Sequence, residues 1–180
     1  MRYVALIRAI NVGGRSMIAM PVLRELFESL GFKNVVTYIQ TGNVLFTSSS
    51  ASVTALEKKI EAKLSAHFGK PMRAFVLTAA DLKKASRANG LKPAMTHATH
   101  HCQVMFLAGA PKAENVRTLM ALEREPLRFH QRGRVFYYSY PRVVTGRMPT
   151  ISFEKVLGVA GTTRTWKVIE RLIELAQEPG

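Results

Sequence analysis

The sequence predicts an α+β protein: two ferredoxin-like α/β plaits packed together, the C-terminal one ending in extra helices. Three observations predict it. Over residues 1–80, short β-branched and aromatic runs alternate with amphipathic helical stretches in the order β-α-β-β-α-β, which is the order of that plait. From about residue 101 the same order nearly repeats. A length of 180 residues suits one domain or two small ones. The expected division is 1–80 for the first plait, 81–100 for a helix and connector, and 101–180 for the second, modified plait.

Each element has its own signals. Residues 2–9 (RYVALIRA) read as a buried strand, followed by a loop to Met20. Pro21 then opens a helix with Leu23, Leu26, Phe27 and Leu30 on one face, stopped by Gly31. Residues 35–41 and 44–48 read as strands around Gly42-Asn43, a two-residue hairpin signal that pairs residue 41 with 44. That register puts Val35, Ile39, Val44 and Phe46 on one face. Val36, Tyr38 and Leu45, with Gln40 and Thr47, fall on the other. Both faces are largely apolar, so each needs a cover: the plait's own helices for one, part of the second half for the other. A helix from about Ser52 to Phe68 carries Val53, Leu56, Ile60 and Leu64, and Gly69 and Pro71 end it. Residues 73–77 (RAFVL) form the next strand. Thr78-Ala79-Ala80-Asp81 has capping-box spacing and starts a helix through Arg87, and 89–99 is the connector.

In the second half, 102–108 is a strand and 112–124 a helix bearing Val116, Leu119 and Met120. Strands at 127–131 and 134–140 join around Arg132-Gly133. Helices are expected at 151–157 and 164–177, the latter with Trp166, Ile169, Leu172, Ile173 and Ala176 as its stripe. On this reading Thr162 caps that helix, Thr163, Arg164 and Trp166 fill its first turn, and the plait's last strand is missing.

Composition narrows the functional classes. Hydrophobic residues make up 47% of the chain, which excludes wholesale disorder. No apolar run approaches a membrane span of about 20 residues, and the early charges of MRYVALIRAI do not fit a signal peptide. The single cysteine, Cys102, rules out an intrachain disulfide and points to a reducing, cytoplasmic setting. The formal net charge is +14, a cation excess that draws polyanions and nucleotides. It is uneven: Pro126 to Phe153 holds no acidic residue but contains Arg128, Arg132, Arg134, Arg142 and Arg147. Those cations are all arginine, whose planar fork matches phosphate and carboxylate. Arginine-rich coding is the compositional alternative.

Several motifs bear on chemistry. Ala9 to Ser16 departs at two positions from the phosphate-binding pattern G-x-x-x-x-G-K-[ST], with Ala9 for the first glycine and Arg15 for lysine. Gly13 and Gly14 would let backbone amides converge on an anion; a glycine turn passing close to its neighbours is the structural alternative. The helix start near Thr162 is read first as a cap and second as an anion site. His97, His100, His101 and Cys102 invite a zinc reading, but no paired C-x-x-C lies elsewhere, so a polar connector is preferred and no metal is expected. On the 127–140 hairpin, pairing puts Leu127, Phe129, Phe136 and Tyr138 toward the helices. Arg128, His130, Arg132, Val135, Tyr137 and Ser139 share the other face. A basic face with an aromatic is how plait-type RNA modules stack bases, although Arg132-Gly133-Arg134-Val135-Phe136 lacks the aromatic of the RNP1 pattern. No catalytic constellation assembles, and no cofactor is implied.

Arg8, Asn11, Val12, Gly13 and Gly14 resemble the R-G-I-N-V-G-G opening of the domain-of-unknown-function 1697 family, with Ala9 departing at the first glycine. TYIQTGNVLF at 37–46 is similar to that family's T-Y-I-Q-S-G-N-V-V-F block. Thr162-Thr163-Arg164-Thr165-Trp166 resembles its T-T-R-N-W element, with Thr165 in place of Asn. The resemblance runs along essentially the whole chain and implies a pair of ferredoxin-like plaits, without implying any chemistry.

The candidate ligand site is therefore one concave surface formed by Arg8, Asn11, Gly13, Gly14, Arg15, Gln40, Asn43 and Arg164. The weaker candidate is a nucleic-acid face of Arg128, His130, Arg132 and Tyr137. Two functions follow: a basic, non-catalytic binding module for a phosphate-bearing ligand or nucleic acid, or a small-molecule enzyme acting on an anionic substrate near Gly13-Gly14; a structural or oligomerisation role is the third reading, favoured where side chains fill the cleft.

Overall fold

The computed structural model describes residues 1–8, 10, 18–91, 98–143 and 150–178. The chain divides into two compact units, Met1–Lys83 with Leu172–Gly180, and Lys84–Arg171.

In the first unit the elements run β1 (Arg2–Ile7), α1 (Met20–Glu28), β2 (Lys33–Tyr38), β3 (Asn43–Thr47), α2 (Val53–Phe68) and β4 (Ala74–Thr78), followed by α3 (Ala79–Arg87). The sheet is antiparallel in the order β2-β3-β1-β4, the ferredoxin-like order. Local chemistry sets the boundaries. Pro21 begins α1 where a missing N–H costs nothing. Ser52 caps α2 by accepting from the Ala55 N–H at 3.2 Å, and Gly69 ends it in the left-handed region. Thr78 and Asp81 form the expected reciprocal cap of α3: Asp81 Oδ2 accepts from the Thr78 N–H at 2.9 Å, and Thr78 Oγ1 from the Asp81 N–H at 3.1 Å.

Strand alternation sends Tyr3, Ala5, Ile7, Val44, Phe46 and Val76 to one face, where they meet Leu23 and Phe27 of α1 and Leu56, Ile60 and Leu64 of α2. Phe46 is the centre, with ring centroids 5.6 Å from Tyr3, 5.5 Å from Phe27 and 4.4 Å from Phe32. Each Val, Leu, Ile or Phe side chain fully buried here contributes about 1.5–3 kcal/mol. Val4, Leu6, Leu45 and Phe75, on the face away from α1 and α2, are buried as well.

The first hairpin differs from expectation. Tyr38 pairs with Asn43 and Thr37 with Val44, so the connection is the four residues Ile39–Gly42 and not Gly42-Asn43. Ile39 and Gly42 both take positive φ, 49° and 75°, and Asn43 is the first strand residue. The slip relative to the expected 41–44 pairing is even, so the apolar faces survive it. Ile39, however, leaves the core face and is 44% exposed.

The second unit repeats the circuit: β5 (His100–Leu107), α4 (Ala113–Met120), β6 (Arg128–Arg132), β7 (Val135–Pro141), α5 (Phe153–Leu157) and β8 (Gly161–Thr165), with α6 (Trp166–Gln177) after it. Its antiparallel sheet has the equivalent order β6-β7-β5-β8. Met105, Leu107, Phe129 and Phe136 pack with Leu119 of α4 and Leu157 of α5, and Phe136 lies against Phe129 and Phe153. Helix α4 stops at Met120, short of the expected 124; Glu123 and Arg124 belong instead to the turn into β6, where Glu123 Oε2 accepts from the Phe129 N–H at 2.5 Å and Arg124 O from the Leu127 N–H at 2.8 Å.

The plait's last strand, expected to be missing, is present. Gly161–Thr165 pairs along β5 from Leu107↔Gly161 to Gln103↔Thr165. Thr162 therefore lies within a strand and caps no helix. The threonines at 162, 163 and 165 favour the pleated, half-buried edge of a sheet. The helix begins at Trp166, and Thr165 takes the capping role, its Oγ1 accepting from the Val168 N–H at 3.4 Å.

Candidate functional site

At the C-terminal end of β1 the chain runs beside the turn that precedes β3. The Ile7 N–H donates to Gly42 O at 2.8 Å, and the Arg8 N–H to Arg73 O at 2.9 Å. A Cβ at Gly42 would fall 2.5 Å from Ile10 Cδ1 and 2.7 Å from its Cγ1, so glycine is required for this approach as well as for the positive φ. Asn43 is fully buried. Its amide Nδ2 donates to Tyr38 O and to Thr41 Oγ1, both at 3.0 Å, so its donors hold the turn together. Gln40 and Thr41 are exposed and Arg8 is half-buried. Arg8, Gln40 and Asn43 thus belong to one end of one sheet. Asn11, Gly13, Gly14 and Arg15 lie outside the described residues.

Arg164 belongs to the second unit, in β8 opposite Val104. It is 8% exposed, and its Nη1 donates to Thr162 Oγ1 at 2.9 Å and Thr163 O at 2.8 Å. Burial lowers its pKa to about 10, so the guanidinium keeps its charge at neutral pH.

The register of β6 and β7 sets Arg128 opposite Ser139, His130 opposite Tyr137 and Arg132 opposite Val135, the face composition the sequence predicts. That face is not an open platform. Tyr137 is 1% exposed, its hydroxyl donates to Ala85 O of α3 at 2.7 Å, and burial pushes its pKa up to about 12. The His130 ring closes on Gly90, where a Cβ would come within 2.8 Å of it. A ring covered in this way cannot stack a base, which corrects the stacking role expected of Tyr137. Arg128 pairs with Glu125. Arg132 and Arg134, at the β6–β7 turn, are exposed, and Arg134 Nε donates to Leu107 O at 3.2 Å. Arg134 is the member of this surface that face arithmetic alone leaves out, because it sits in the turn.

His100, His101 and Cys102 begin β5, where alternation turns His101 to the opposite face from the other two. Thr99 Oγ1 lies 2.9 Å from His100 Nδ1, and His101 packs on Tyr140 at 5.1 Å between ring centroids. Burial raises the Cys102 pKa, opposed by Arg142 and reinforced by Glu170. His97 lies outside the described residues, and among those described no group of His, Cys, Asp and Glu side chains could hold a metal ion. No described helix is long and apolar enough to cross a membrane.

Fold and surface together define a two-plait α+β protein with a basic hairpin in its second plait. A family model described as "Protein of unknown function (DUF1697)" matches residues 1–137, and the chain belongs to that family. The matched region stops short of the Thr162–Trp166 element. Among solved structures the chain is similar to the conserved bacterial protein SP0830 from Streptococcus pneumoniae, with 22% identity, 98% of each chain covered and a TM-score of 0.74. That likeness concerns the fold. No curated protein matches the chain.

Proposed function

We propose that the protein is a cytosolic binding module for a phosphate-bearing polyanion, nucleic acid included, engaged through the β6–β7 hairpin. The observation that carries this reading is the exposed Arg132-Gly133-Arg134 turn, set in a stretch from Pro126 to Phe153 with no acidic residue. Arginines at a turn tip can fork onto phosphates with little reorganisation of the scaffold. A salt titration of binding to mixed RNA and DNA tests it. Affinity falls log-linearly with salt, and Arg132→Ala/Arg134→Ala reduces the slope by about 0.7–0.9 for each phosphate that the pair neutralises. Absence of binding at low salt, or a slope unchanged in the double variant, overturns the reading.

A second reading, a small-molecule enzyme acting on an anionic substrate near Gly13-Gly14, is favoured by the approach of the β1 exit to the Gly42 turn, with Arg8 and Gln40 at that end. Its mark is stabilisation by a phosphate-bearing small molecule that persists at high salt and is untouched by Arg132→Ala/Arg134→Ala.

A further inference from the structure

The Arg132-Gly133-Arg134 turn is tied to the sheet behind it. Gly133 takes a φ of 59°, which lets Arg132 pair with Val135 across a two-residue turn. Gln131 Nε2 donates to Gly133 O at 2.6 Å. Arg134 is bonded twice to Leu107, the last residue of β5. Its carbonyl O accepts from the Leu107 N–H at 2.9 Å, and its Nε donates to Leu107 O at 3.2 Å. Leu107 is buried, so the Arg134 side chain is anchored to the core. That anchor uses Nε and leaves both terminal nitrogens of the guanidinium for an outside acceptor.

The aromatic side chains of the same hairpin are committed elsewhere. Phe129, Phe136 and Tyr137 are buried. Tyr138 and Tyr140 are half-buried and pack on Phe153 and His101, with ring centroids 4.6 and 5.1 Å apart. Arg128, further along β6, is taken by Glu125. Among the described residues, the exposed end of the hairpin thus offers cationic forks without a ring. Single strands are held by charge together with stacking of their bases on aromatic rings. A duplex keeps its bases stacked internally and presents one phosphate charge per about 1.7 Å of axis, against about 3.4 Å along one strand. Charge alone favours the duplex.

We propose that the β6–β7 turn takes the backbone of double-stranded nucleic acid without reading its sequence, with Arg134 as the fixed phosphate fork, an inference that rests on the polyanion-binding function proposed above. A lysine at 134 would carry the charge but could not hold Leu107 O and present a fork at once. Arg132 is exposed and its side chain has no such anchor among the described residues, so it must be ordered on binding. Of the two arginines, Arg134 is therefore the more sensitive to the shape of its head group.

The test measures fluorescence anisotropy of a short labelled DNA duplex, and of one of its strands alone, titrated with the full chain over a range of salt. The duplex should bind more tightly, with a salt slope of about 0.9 per neutralised phosphate against about 0.7 for the single strand. A second duplex of unrelated sequence should bind within about twofold, where readout of bases would separate the two by about tenfold or more. Arg134→Lys should weaken duplex binding by about tenfold, as loss of a charge-assisted hydrogen bond does, and Arg132→Lys by less. Tighter binding of the single strand, a preference for one duplex sequence, or equal losses in the two lysine variants overturns the proposal and leaves the polyanion-binding function standing. Binding of neither probe at low salt removes both. The comparison of duplex with single strand uses the unmodified protein, so it decides the matter even where a variant fails to fold.

Discussion

The two plaits run the same circuit, β-α-β-β-α-β with equivalent strand orders, but a row of side chains across each sheet, on the face away from its plait helices, reads very differently. In the first unit the row across β2-β3-β1-β4 is Val36, Leu45, Val4 and Leu77. The matching row across β6-β7-β5-β8 is His130, Tyr137, Val104 and Arg164. The helix-side faces are alike in kind, with aromatic and aliphatic side chains gathered around Phe46 in one and Phe136 in the other. The topology thus rests on the backbone ladder and the helix-facing core, which leaves the second face free to carry different chemistry. A buried arginine is tolerated there because Thr162 and Thr163 supply acceptors for it, whereas an unpaired one would be costly.

The largest effect should come from the shared feature, the helix-side core. Phe46→Ala removes a fully buried ring that packs on three others, and should lower stability by about 3–5 kcal/mol in urea unfolding. A decrease below about 1 kcal/mol would break the claim that Phe46 is the centre of the first unit's core.

The hairpin turns provide a sharper contrast. Gly42 and Gly133 both have positive φ, 75° and 59°, but a Cβ at Gly133 meets nothing within 4 Å while one at Gly42 collides with Ile10. Gly133→Ala should cost about 1–2 kcal/mol from backbone strain alone. Gly42→Ala should cost about 1–3 kcal/mol more, as overpacking does. Equal costs in thermal or chemical unfolding would mean that Ile10 moves aside freely.

The smallest effect concerns the differing face. Tyr137→Phe leaves Ala85 O without its donor and should cost about 1–2 kcal/mol. The pKa of Tyr137 is raised from 10.0 to about 12 in the folded protein, so its neutral form is the one the fold stabilises. That contribution is complete below pH 10 and is lost as pH rises toward 12. Tyr138 is raised to about 12 as well, chiefly by burial, and steepens the same fall. Tyr137→Phe should make the alkaline fall in stability shallower, and an unchanged profile would remove Tyr137 from it.

Much of the fold was legible because its signals are local. Pro21, the cap at Ser52, Gly69 and the Thr78–Asp81 box each act within a few residues of themselves, and the alternation of β6 and β7 carried their faces through correctly. The misreadings occurred where a distant partner decided. Thr162 has the side chain of a helix cap, and pairing with β5 made it a strand residue. Gly42-Asn43 has the form of a two-residue turn, but the amide of Asn43 satisfies Tyr38 O and draws the residue into the sheet. Of the candidate site, the positions of Arg8, Gln40 and Asn43 at one sheet end followed from strand order, while the covering of Tyr137 by α3 did not.

By itself, then, the sequence determined the two α+β plaits, their helix-side cores and the arginine-rich, acid-free hairpin, because periodicity and composition act along the chain. Only the tertiary structure decided that Tyr137 is covered and that β8 exists. Each of those depends on a hydrogen bond between residues far enough apart in sequence that no local pattern announces it.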